Sequence, residues 1–171
     1  DSEPFRLAIL HGRYRQIETA SVAKGDVAIA RPDLIRQLDE LIADLNRLSD
    51  VIRQRSESLL AARQTDPDSA TALDREIDNA HRHFLHGRFL LGWAYYLRAS
   101  LTAPADRSVW LTRSESSFRE FLEIEPSQAV VSLTQTWFAM SNPWTVRAMI
   151  GLANVAQERG ANRTHDHLYQ L

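Results

Sequence analysis

Hydrophobic positions recur at helical spacing along nearly the whole chain. Phe5, Leu7, Leu10, Tyr14 and Ile17 form an amphipathic set with Arg6, Arg13, Arg15 and Glu18 outward, which predicts a helix over about 4–23. Farther on, residues 34, 38, 41, 45, 48 and 52 are apolar in alternating steps of four and three, the heptad spacing of packed helices. Arg55 interrupts that seam and Leu59 resumes it. Leu73, Ile77, Ala80, Phe84, Gly87, Leu91 and Ala94 continue the grammar in a third helix. No segment alternates β-branched and polar residues with period two, so the chain is all-α with no sheet.

Prolines punctuate this pattern. Those at 4, 32, 67, 104, 126 and 143 each stand just before an apolar run, where a missing N–H costs little. About six helices are expected, over 4–23, 32–63, 67–101, 104–124, 127–140 and 143–159. Gly25 and Gly160 read as C-terminal stops, and residues 26–30 as a short extended connector. Gly12 costs a helix about 1 kcal/mol relative to alanine, so either a close helix crossing or chance accounts for it. The second and third helices, joined by a short turn, should form a long antiparallel hairpin with arms of about 45 Å at 1.5 Å per residue. The bland use of the seam is an intramolecular pair; the alternative is a homodimeric coiled coil.

The 171 residues, 44% hydrophobic and 25% charged, suit a single all-helical domain spanning 1–171 with a real core. A net charge of -2 supplies no basic footprint for nucleic acid. Cysteine is absent, which removes disulfides, thiolate metal sites and a cysteine nucleophile. No apolar run reaches the length of a membrane span. Lys24 is the only lysine among twenty basic side chains, so nearly every cation can pair with carboxylates through a planar, two-pronged contact. The chain starts at Asp1, as a processed mature chain or a fragment of a larger protein would, and a cytoplasmic or an exported protein fits equally.

Aromatic residues are concentrated between Phe84 and Trp144, and the stretch His81–Tyr96, HRHFLHGRFLLGWAYY, is where an aliphatic arm hands over to an aromatic body. Within it, Leu91-Gly92-x-x-Tyr95, followed by Ser114-x3-Phe118 and Pro126, resembles the tetratricopeptide repeat, W-x2-L-G-x2-Y, A-x3-F, P. The resemblance covers residues 88–126 with three departures. Arg88 stands for the opening tryptophan, serine stands for alanine, and about ten extra residues separate Gly92 from Ser114. The resemblance implies a helix-turn-helix array that binds a protein or peptide on a concave face, or packs against the rest of a larger polypeptide, without catalysis. On this reading Phe84, Gly87, Leu91, Gly92, Tyr95, Phe118 and Pro126 are the structural hub.

Arg88, Trp137 and Trp144 are the candidate partner-binding residues, since tryptophan and arginine dominate interface hot spots; core packing of the tryptophans and a structural arginine are the bland readings. His81, His83 and His86 raise a metal or enzyme alternative. At 100° per residue only His83 and His86 share a side, and a metal there would need carboxylates from another helix. Acid pairs such as Asp39-Glu40, Asp74/Asp78 and Glu123/Glu125 read as polar helix faces. No catalytic motif is present, and no cofactor is expected. Between Ser127 and Gln157 Arg147 is the only charge, so the last two helices lack the polar outer face expected of a terminal pair. They are central in the fold, covered by further chain, or a partner surface.

Overall fold

Three helices come first, α1 (Glu3–Ala23), α2 (Val27–Thr65) and α3 (Ala70–Ser100). A 3-10 turn (Pro104–Asp106), α4 (Arg107–Phe121) and α5 (Pro143–Glu158) follow. This computed structural model describes residues 2–23, 27–65, 69–125 and 143–160, with the side chains of 22–31 set aside. All regular structure among the described residues is helical. The expected helix over 127–140, with Pro126 and Trp137, lies outside them, as does Gly25.

Two boundaries depart from the proline rule. Pro32 lies inside α2, because residues 27–30, expected as an extended connector, are helical. Alanines at 28 and 30 favour that turn. Pro32 sits close to the helix start, where its clash falls on a carbonyl of the first turn and costs less than in the interior. The helix expected over 104–124 is a 3-10 turn followed by α4, and it stops short. There Ile124 N–H donates to Arg119 O at 2.9 Å and Glu123 takes φ 53°, a left-handed stop made without glycine. The buried Ile124 side chain supplies its hydrophobic contact. Gly160 fulfils its expected role, with φ 75° and its N–H on Gln157 O at 2.9 Å.

The chain divides into two compact units, residues 1–90 and 91–171, with the boundary inside α3. In the first unit α1, α2 and the first two thirds of α3 run up, down and up. Arg13 meets Asp44 at 2.6 Å while Arg55 meets Glu3 at 3.2 Å, so α1 and α2 are antiparallel. Arg63 donates to Asp74 at 3.3 Å, and Ser49 faces Gly87 at the other end, so α2 and α3 are antiparallel as expected. The heptad residues Leu38, Leu41 and Leu45 are fully buried between these helices of one chain. Each contributes roughly 1.5–3 kcal/mol. Arg55, the seam's interruption, ties Glu3 of α1 and Glu76 of α3 to α2, at 3.2 and 3.1 Å. No close crossing explains Gly12: a Cβ there would meet nothing within 4 Å.

In the second unit the end of α3, α4 and α5 again run in alternating directions. Ser114 Oγ of α4 donates to Gly92 O of α3 at 2.8 Å, and Tyr95 lies beside Trp110 with centroids 6.0 Å apart. Against α5, Arg107 pairs with Glu158 at 3.1 Å, and Arg159 donates to Thr112 at 2.6 Å and also pairs with Glu115. Ala99, Leu111 and Val155, one from each helix, close the core at that end.

Candidate functional site

The aromatic body is built on one ring. Phe118 of α4 is fully buried, and both helices beside it present a glycine to it. A Cβ at Gly92 would fall 2.6 Å from Phe118 Cδ1 and Cε1, and one at Gly151 would fall 2.5 Å from Cε2. Real Cβ atoms do not approach so closely, so glycine at both places is what lets α3 and α5 close on α4. Trp93 stands edge-on to the same ring at 5.4 Å and to Tyr96 at 5.9 Å, and the Arg147 guanidinium lies 5.8 Å from the Trp93 centroid. The Trp93 Nε1 is buried and finds no acceptor among the described residues.

The spacing Leu91-Gly92-x-x-Tyr95 with Ser114-x3-Phe118 therefore marks residues that meet: Gly92 touches both Ser114 and Phe118. The stretch between Gly92 and Ser114 completes α3, turns over residues 101–106 and begins α4. Ser114 is buried and would be an unsatisfied polar group if its hydroxyl did not bond the Gly92 carbonyl. Leu91 and Tyr95 are buried as well. Within the first unit, Gly87 faces Ser49, where a Cβ would come to 3.2 Å, and the Arg88 guanidinium lies 5.9 Å from the half-buried Phe84 ring. Trp144, at the start of α5, is 37% exposed, and Val146 and Ile150 also face outward.

Sequence reasoning missed the second glycine. Arg88-Phe89-Leu90-Leu91-Gly92-Trp93-Ala94 and Arg147-Ala148-Met149-Ile150-Gly151-Leu152-Ala153 share arginine, a branched aliphatic residue, glycine and alanine at the same spacing. Comparing the chain with itself carries this signal; comparing single helices does not. Both segments place their glycine on Phe118.

The histidines gather differently. His81 is exposed. His83 and His86 share the inward side, and α1 brings His11, whose ring meets His86 edge-on at 5.2 Å. His83 Nδ1 lies 3.9 Å from Glu3. Burial, then His11, then His83 lower the His86 pKa to about 4, so this ring is neutral at physiological pH. Among the described residues no three His, Asp or Glu side chains are arranged to hold a metal ion. Of the acid pairs, Glu40 and Asp74 are engaged by Arg13 or Arg36 and by Arg63. No helix among the described residues is long and apolar enough to cross a membrane.

No family model, no curated protein and no solved structure matches the chain.

Proposed function

We propose that the protein is a non-catalytic protein- or peptide-binding module, a scaffold of tetratricopeptide-like helical type. The observation that carries this reading is the Phe118 ring held between Gly92 and Gly151. It joins α3, α4 and α5, neighbours running in alternating directions, by one close-packed residue, with the two flanking helices presenting glycine to it from related short segments. Stacked helical hairpins bury a continuous core through nearest neighbours and offer partners the helix faces that this packing leaves exposed. Val146 and Ile150 share such a face on α5, and Trp144, exposed on another side of the helix start, is the candidate anchor.

Photo-crosslinking tests it, with a photoreactive residue placed at Ile150 and adducts identified in extracts of the source cells. One discrete protein adduct, lost on Trp144→Ala while the melting temperature stays unchanged, supports the module. A set of adducts indifferent to Trp144→Ala overturns the assigned anchor, and stoichiometric metal retained by the purified protein overturns the non-catalytic reading in favour of the His83/His86 alternative.

A further inference from the structure

On the first unit α1 and α2 leave an open groove of about 450 Å³. Each helix gives it one face at the spacing i, i+3, i+4, i+7: Arg6, Ile9, Leu10 and Arg13 from α1, and Asp44, Arg47, Leu48 and Val51 from α2. Leu10 and Leu48 are buried at its floor, while Ile9 and Val51 are 48% and 46% exposed. Phe5, one turn before Ile9, is 56% exposed and prolongs the apolar edge. Leaving three large apolar side chains together in water is unfavourable by roughly 25 cal/mol for each Å² that could be covered. Such clusters mark surfaces that something else covers.

Charge identifies the occupant. Three guanidiniums line the groove against one carboxylate. Asp44 is shared by Arg13 at 2.6 Å and Arg47 at 2.8 Å, and Arg6 makes no ion pair among the described residues. Arg13 also reaches Glu40 at 3.8 Å, so the positive excess on the walls above the apolar floor rests chiefly on Arg6 and on Arg47, which shares Asp44. A second copy of the chain docking by the same groove would set these arginines against their own counterparts. A nucleic acid would leave the aliphatic floor uncovered. A single amphipathic helix satisfies both features, with an apolar stripe between the two helix faces and acidic residues flanking it.

We infer that the α1–α2 groove binds an acidic amphipathic helix of a partner protein, a proposal that rests on the binding-module reading and names one of its sites. Aliphatic residues of the partner cover Ile9, Leu48 and Val51, and its carboxylates pair with Arg6 and the outer edges of Arg13 and Arg47. The charges lie at the rim, so they set orientation and association rate, and their effect falls with salt.

Two fluorescein-labelled helical peptides test it by anisotropy, both with leucines at i, i+3, i+4 and i+7, one flanked by glutamates and the other by lysines. The glutamate peptide is expected to bind at least tenfold tighter than the lysine peptide, with the difference shrinking at high salt. Ile9→Glu and Val51→Glu, at exposed positions that leave the fold intact by circular dichroism, should each abolish binding, and Arg6→Glu should weaken it at least tenfold. Equal binding of the two peptides, or binding that survives Ile9→Glu and Val51→Glu, overturns the groove while the adduct at Ile150 still decides the module reading. No binding of either peptide overturns the groove in the same way.

Discussion

A residue's chemistry takes its sign from its surroundings. His86 is a base whose pKa is lower in the fold than in the unfolded chain. Its neutral form is favoured by folding, so its contribution to stability is fully present above about pH 6.5 and is lost as pH falls toward 4. The ring faces His11 and His83, with Glu3 of α1 beside His83. Urea unfolding at pH 7.5 and 4 should show a loss of about 1–2 kcal/mol attributable to this ring, discounted for its solvent-facing part. His86→Phe, which keeps a ring against His11 without a titratable nitrogen, should flatten the pH dependence between those values; an unchanged slope would assign it to other groups. Gly12 is the simpler case. Its surroundings are open, so Gly12→Ala should stabilise the protein by about 0.5–1 kcal/mol, read as a higher denaturation midpoint.

At the scale of helices, the same substitution reverses sign where two of them close on a ring. Gly92→Ala and Gly151→Ala gain the same helix propensity but put a Cβ inside the Phe118 ring's contact distance, and each should destabilise by about 1–3 kcal/mol. In a Phe118→Leu background the cost of Gly151→Ala should fall, with a coupling above about 0.5 kcal/mol in a denaturant double-mutant cycle. Additive costs would show that Phe118 is not what excludes the methyl. Much of this was legible in the sequence: the heptad positions Leu38, Leu41 and Leu45 are buried where expected, and Gly92 and Phe118, both named in the structural hub, lie in contact, though their pairing was not foreseen. Gly151 escaped because its importance lies in a ring on another helix. The end of α4 escaped because Glu123 fills a left-handed position that sequence reasoning reserves for glycine. The start of α2 escaped because proline near a helix start is a weak stop, and His11 because only packing brings α1 to His86.

The chain divides into two compact units at a boundary inside α3, and each buries its own apolar residues. The first fully buries Leu38, Leu41 and Leu45, and the second is centred on Phe118. Stability that is local in this way should be damaged locally. Leu45→Ala leaves a cavity in the first core and costs about 2–5 kcal/mol. Hydrogen exchange followed by mass spectrometry should then show faster exchange in α1, α2 and residues 70–90 of α3, with α4 and α5 unchanged. Phe118→Leu should do the reverse, exposing α4, α5 and residues 91–100. Because α3 contributes to both cores, its two parts should separate within one continuous helix, each following its own unit. If either substitution instead raises exchange uniformly from α1 to α5, the chain unfolds as one cooperative body and the boundary inside α3 has no energetic meaning.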